Sequence, residues 1–552
     1  TLEAKQPQVT ALAAKDGRIL ALGSDQEIQR YVGPKTKRID LKGALAVPGF
    51  IEGHGHFTSL GRSLRMLNLT KTKNWDDVLK LVGDAVKRAR PGEWILGRGW
   101  HQEKWDRAPD PNVQGLPLHA GLDKVAPDNL VMLEHASGHG LFVNGAVLTL
   151  LKIDRTTPDP AGGQIVRDGK GEPIGMLWDN AMQPANRAYE ASLEQRSPRQ
   201  ASAEFHQELR LASDDAVRKG ITTFVDQGES FAVLDAIKDF ADEDALPLRL
   251  YAMVDVTAGS ADVAGLPEKE DYSKYDGYTQ LERYLPTHRI VDDADGHFTV
   301  RAVGEVLSDG ALGSHTAWFL KPYDDLPASS GIAVTTPEVV QRIADLALKD
   351  GYQLAVHAIG DRANRSALDV FQAEFAAHPD AKDLRWRIEH AQHLDPADIP
   401  RFGKLGVIAS MQSVHACSDA PYVVKRLGEE RAKAGAYAWR SLMQTGALIT
   451  NGTDVPVEDE DPIPNFYCAV TRRAKSDGTP FYPGQVMTRE EALRSYTWNN
   501  AYAIFAEQDL GSLAVGKRAD VTVLSKDILT VPEQEILDAK VMYTVVGGRI
   551  VY

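Results

Sequence analysis

VPGFIEGHGHF, residues 47–57, is an apolar run that ends in two histidines one residue apart. In a strand, side chains at i and i+2 leave the same face, so His54 and His56 converge on one point. Two convergent imidazoles suit a metal ion, and they suit a purely structural pair as well. The rest of the chain has to separate those readings. Working outward, ALAVPGFI is followed by seven more short apolar runs: ITTFVDQ, LRLYAMVDV, FTVRAVGEVL, QLAVHAIG, LRWRIEHAQ, GVIASMQS and ALITNGTD. Continuously apolar strands are those buried on both faces, as in parallel sheets. Helix-start signals stand between several of them: Ser197-Pro198-Arg199-Gln200, Thr336-Pro337 and Thr488-Arg489-Glu490-Glu491. Eight strand–helix repeats predict an α/β fold, a TIM-like (β/α)8 barrel over residues 47–505.

The flanks have a different rhythm. ALAAKDGRILALG places Asp16-Gly17 between two apolar segments, a hairpin signal. At the far end RADVTVLS and VMYTVVGGRIVY alternate, with Gly547-Gly548 as a second hairpin turn. Residues 1–46 and 506–552 are therefore expected to build one composite β-sandwich domain from both termini. From about 57 to 196 there is more chain than one βα loop needs, so an insertion after the first barrel strand is expected, partly covering the barrel mouth. The acidic EDED at 458–461 reads as a solvated loop.

Bulk properties exclude whole classes of function. With 552 residues and a net charge of −15 there is no dense basic stripe, which argues against nucleic acid and anionic membranes as partners. No run of 18 apolar residues exists, so no membrane span is predicted. Cys417 and Cys468 form no CxxC pattern and read as two lone thiols. The chain begins at Thr1, which fits a removed export signal or a trimmed chain alike. The compartment thus stays open between periplasmic and cytoplasmic, leaning to periplasmic. A small-molecule substrate is the expected partner, and a homo-oligomer remains open.

Barrel enzymes take their reacting side chains from the carboxyl ends of the strands. Those ends carry His54 and His56 on the first run, Glu305 on the fourth, His357 on the fifth, His390 on the sixth and Asp454 on the eighth. Imidazoles and carboxylates arriving at one ring fit Zn²⁺ or a neighbouring first-row divalent ion, and the lack of thiolates argues against a structural zinc knot.

PGFIEGHGHF, GWHQEKW, GITTFVDQG, SDGALGSHTA, HAIGDRA, RIEHAQ, TDVPVEDEDP, SYTWNNAYA and GSLAVGKRADVTVL occur in this order along nearly the whole chain. In these motifs the sequence resembles the amidohydrolase superfamily and, within it, the family 3 branch that contains N-substituted formamide deformylase. The resemblance implies one divalent ion, zinc by expectation, on His54, His56 and Asp454. It implies a second on His357 and His390, so that a chain holds one or two. Glu305 falls where a side chain bridges the two ions; many relatives have a carboxylated lysine there. Glu52 falls where many relatives have aspartate, as support for the ligands. The implied reaction is hydrolysis of a C–N bond in a small amide, N-acyl or N-formyl compound by metal-activated hydroxide. Asp454 would take the water proton and return it to the leaving amine. Ester, lactone or carbamate hydrolysis and ring deamination are alternatives on the same barrel, and a metal-free scaffold is a remote one. On the substrate side, His139 matches a family position beside the site. His315, His415, and Trp100 with its neighbour His101, are further pocket candidates, whereas His393 is expected to leave the ring.

Overall fold

A computed structural model describes residues 1–102, 105–135, 140–160, 163–243, 245–255, 266 and 272–552. In it the eight apolar runs are eight parallel strands: β1 (Phe50–Gly55), β2 (Ile221–Glu229), β3 (Arg249–Val254), β4 (Phe298–Leu307), β5 (Gln353–Ala358), β6 (Arg387–His390), β7 (Ile408–Met411) and β8 (Ile449–Asn451). Neighbours in the sheet follow chain order from β1 to β8. Every residue of β1, β3, β5, β6, β7 and β8 is buried, which is why these segments read as unbroken apolar runs. The chain leaving β8 returns to β1: the Asp454 N–H donates to the His54 carbonyl at 2.7 Å, and the His56 N–H to the Val455 carbonyl at 2.8 Å. The barrel is closed there by residues of the site itself.

Helices start where the side chains predicted. Ser197 and Gln200 exchange capping hydrogen bonds, Pro337–Lys349 follows Thr336, and Thr488 and Glu491 form a full capping box. The first apolar run divides in two, because Leu45–Pro48 is a separate strand that pairs antiparallel with Val521–Leu524. With Val541–Val546 and Arg549–Ile550 these make one four-stranded sheet from both ends of the chain. The hairpin Ala11–Lys15/Arg18–Gly23 turns through Asp16 (φ 49°) and Gly17 (φ 77°), two consecutive left-handed residues of the kind a two-residue hairpin requires. Ile19, Leu513, Val521 and Val523 form a common core under these strands, with Leu12 and Leu22 against it.

The chain divides into two compact units. One contains Thr1–Leu60 and, among the described residues, nearly everything from Ala212 onward; the other contains Gly61–Leu211. The second unit has a six-stranded sheet, in spatial order Gly163–Arg167, Pro173–Asp179, Gly140–Val143, Leu130–His135, Trp94–Trp100 and Leu67–Asn68. Trp75, Val78, Val82, Val131 and Phe142 fill its core.

Three expectations are corrected. Cys417 and Cys468 are joined in a disulfide, with Cα atoms 6.1 Å apart. It links the helix Ser413–Gly435 after β7 to the helix Pro462–Thr471 after β8, and 51 residues of separation hid the pairing. Trp100 is no pocket wall: it is fully buried in the second unit, stacked on Trp105, and its indole N–H donates to the Leu133 carbonyl. The acidic stretch is solvated only in part. Glu460 is 1% exposed and faces Lys219 at 2.9 Å, and Asp461 caps the helix beginning at Pro462. No helix among the described residues is long and apolar enough to cross a membrane.

Candidate metal centre

The barrel brings together all six strand-end residues. On β1, His54 Nδ1 donates to Glu389 Oε2 at 2.6 Å, a bond whose direction is set because an ionised carboxylate only accepts. That turns Nε2 inward, 3.5 Å from Asp454 Oδ1 and 3.9 Å from Glu305 Oε2. His56 Nε2 lies 3.2 Å from Asp454 Oδ1 and 4.0 Å from Glu305 Oε1. From the opposite side, His357 Nδ1 and His390 Nε2 approach Glu305 Oε2 at 3.4 and 3.6 Å. Glu305 thus stands between a His54/His56 pair and a His357/His390 pair. It does not reach Arg301, whose guanidinium stacks 3.6 Å over the Phe505 ring.

These spacings are those of ligands rather than of a hydrogen-bond network. Ligand atoms about 2.1 Å from a tetrahedral ion lie about 3.4 Å from one another. Among the described residues, His54 Nε2, Glu305 Oε2 and His357 Nδ1 are buried with no hydrogen-bond partner. Orphaned buried polar atoms are costly, and here they converge. The donor set of imidazoles and carboxylates fits a divalent first-row ion. Ligand atoms of His54, His56 and Asp454 lie within 4.8 Å of one another, as do those of His54, Glu305 and His390.

The electrostatics ask for positive charge. Burial opposes a charged His54, but Glu305, Asp454 and Glu389 outweigh it and hold that imidazole up at about 10. Burial likewise opposes a charged His357, and Glu305 raises it to about 9. Burial opposes the carboxylates as well, yet the surrounding histidines hold Asp454 and Glu305 well below the usual carboxylate range. Anions that draw protons onto neighbouring imidazoles will draw a cation to the same place, with release of those protons.

A second layer fixes the first, and the sequence reading missed most of it. Glu389 accepts from His54 and pairs with the Arg387 guanidinium; burial is outweighed and its carboxyl is lowered to about 2. Gln412 Oε1 accepts from His390 Nδ1 at 2.7 Å. Asp309, 3.5 Å from His357 Nε2, is anchored by the N–H groups of Trp318, Ile359 and Gly360. Such partners set the tautomer and orientation of ligating histidines. The available signal was Arg387 and Glu389 at i and i+2, opposite charges inside a fully buried strand. Glu52 lies behind Asp454, accepting from the Thr453 N–H at 2.6 Å and from the Tyr496 hydroxyl. Burial pushes its carboxyl up to about 8. His390 (φ 67°) and Asp454 (φ 62°) both hold left-handed backbone conformations, a strain of about 1–3 kcal/mol each that clusters at functional sites.

Of the other candidates, His415 joins the cluster, with Nε2 3.9 Å from Asp454 Oδ2. His315 instead faces Asp325 at 3.0 Å and the Tyr323 ring. His101 lies against His135 within the second unit, with the rings 4.5 Å apart and tilted by 46°. His393 leaves the ring as expected, buried between Phe319 and Tyr437. His139 lies outside the described residues.

Known proteins are similar to this chain over nearly its whole length. The chain is 33% identical over 556 residues to Protein LONG AFTER FAR-RED 3 of Arabidopsis thaliana, covering 100% of this chain and 90% of that one. It is 26% identical over 554 residues to N-substituted formamide deformylase of Arthrobacter pascens, covering 100% and 96%. Among solved structures, an uncharacterized metal-dependent hydrolase from Pyrococcus furiosus matches at a TM-score of 0.72 and 26% identity, over 95% of this chain and 96% of that chain. A model of the amidohydrolase family matches residues 37–552, the barrel and the returning terminal sheet alike, and the chain, a hydrolase built to use a divalent metal, belongs to that family.

Proposed function

We propose that the protein hydrolyses a C–N bond next to a carbonyl in a small molecule, an amide of the N-acyl or N-formyl kind, with Zn²⁺ as the metal. The observation that carries this reading is the placing of Asp454, one oxygen among His54 and His56 and the other facing away from them toward His415. When bound, the divalent ion supplies Lewis acidity toward a water and a carbonyl oxygen. His54 and His56 would hold one ion through Nε2, His357 and His390 would hold a second through Nδ1 and Nε2, and Glu305 would contribute its carboxylate between the two pairs. Asp454 accepts a proton from the attacking water on its free oxygen and delivers it to the departing amine, which cannot leave as an anion. Glu389 and Gln412 keep His54 and His390 in the tautomers that point their free nitrogens inward. The similarity to a formamide deformylase supports an N-formyl or N-acyl substrate over a ring amine. The disulfide supports an oxidising compartment, since cytosolic thiols stay reduced.

The test is turnover by zinc-loaded protein of N-formyl amines, N-acyl amino acids, lactones and aryl esters side by side. Preference for the first two is expected. Hydrolysis confined to lactones or esters overturns the C–N assignment while leaving the metal centre intact.

A further inference from the structure

His415 has no part in the two-ion arrangement described above, and its surroundings set it apart from an ordinary core histidine. It lies in the first turn of the helix Ser413–Gly435, directly after β7. Its Nε2 is buried and has no hydrogen-bond partner among the described residues. That nitrogen lies 3.9 Å from Asp454 Oδ2, and the ring is nearly parallel to that of His390, 6.1 Å away. Ligand atoms of His390, His415 and Asp454 all lie within 4.8 Å of one another. The backbone around it is held firmly. Ser413 N–H donates to Asn451, Val414 N–H donates to Asn465, and Cys417 is tied to Cys468 one half-turn further on. A buried imidazole nitrogen held this rigidly, with nothing to bond to, lacks a partner that is not protein.

We infer that His415 is a fifth histidine of the metal centre, a ligand that stands with His390 on the β6–β8 side of the ring and leaves Asp454 Oδ2 to accept the proton. This rests on the metal reading proposed above. Asp454 has two oxygens in two directions, Oδ1 toward His54 and His56 and Oδ2 toward His415. His390 belongs to both groupings through Nε2, since Nδ1 is given to Gln412. One Nε2 lone pair serves one ion at a time. An ion held by His390 would have Glu305 and His357 on one side and His415 on the other, so that removing His415 would take one ligand from that ion. Unlike His54 and His390, His415 has no outer acceptor on its second nitrogen among the described residues. Without that support it is the weaker and more exchangeable ligand.

The experiment uses the full chain, stripped of metal by chelation and desalting. Zn²⁺ binding is followed by calorimetry, and Co²⁺ binding by the visible bands that report its coordination. Wild type, His415→Ala, His415→Gln and a control, His315→Ala, are compared, with circular dichroism to verify folding. The expected result is binding weakened about tenfold or more for one ion in both His415 variants, a scale typical of lost ligand support, with altered cobalt bands and an unchanged control. Isotherms and cobalt spectra identical to wild type in a folded His415 variant overturn the inference, and a fall in turnover alone would then place His415 against substrate. Wild type that binds neither ion overturns the metal reading itself, and this inference with it. If the alanine variant does not fold, the glutamine variant, closer in volume, decides.

Discussion

Asp454 is where geometry and chemistry can be separated by one atom. Asparagine keeps an oxygen for the metal but cannot accept a proton, so Asp454→Asn should lower turnover by about 10²–10⁴-fold while most of the metal remains. Steady-state rates with metal analysis of the same sample check this, and near-normal turnover removes Asp454 from the proton-transfer role. Glu305 makes a different prediction. A lysine bridge must react with carbon dioxide before it can bind metal, whereas Glu305 is already an anion held well below the usual carboxylate range among histidines. Metal reconstitution should therefore be indifferent to bicarbonate. Glu305→Gln should deplete the site served by His357 and His390 more than the one served by His54 and His56. Metal counted per chain, with and without bicarbonate, tests both statements.

At the scale of elements, the disulfide is the connection with the largest leverage. It closes a loop of 51 residues between the helices after β7 and β8. In the chain-entropy account such a closure stabilises by about 4 kcal/mol, less any strain. Replacing both cysteines with serine should lower the midpoint of thermal unfolding, and the denatured, unreduced wild type should show no free thiol; two titratable thiols would refute the linkage. The helix Arg489–Ser495 offers a test by pH. The hydrogen bond from Arg440, then the capping bonds from Thr488, lower Glu491 from 4.5 to about 2. Because the folded value lies below the unfolded one, this stabilisation is complete above about pH 4.5 and is lost as pH falls toward 2. The stability gap between wild type and Glu491→Gln should be constant near neutrality and shrink across that window; a gap that persists at pH 2 refutes the charge as its origin.

For the whole molecule, metal and folding are linked. The centre gathers carboxylates and imidazoles from five strands spread over 401 residues of chain, from Glu52 to Thr453 and beyond. An ion that binds only this folded arrangement stabilises it by about 2.7 kcal/mol at a hundredfold excess over its dissociation constant. Chelation should abolish activity and lower the unfolding temperature together, and re-addition of zinc should restore both. Calorimetric scans that are superimposable with and without chelator would show that the cluster holds no ion.

Much of this protein could be read locally. Strand parity put His54 and His56 on one face, continuous apolarity marked eight strands buried on both sides, and capping residues marked helix starts, because each depends on neighbours within a few positions. The candidate ligands Glu305, His357, His390 and Asp454 were legible once the barrel was recognised, since that fold directs strand ends to one ring. What only tertiary structure decided are relations between residues distant in sequence. Glu389 serves His54 from 335 positions away, and Cys417 meets Cys468 across two helices. Trp100 disappears into a core that its own neighbours do not define. His415 is brought to Asp454 only by the closing of the barrel. Local pattern states which face a side chain takes, but what it faces there is set by the packing of strands that the sequence keeps far apart.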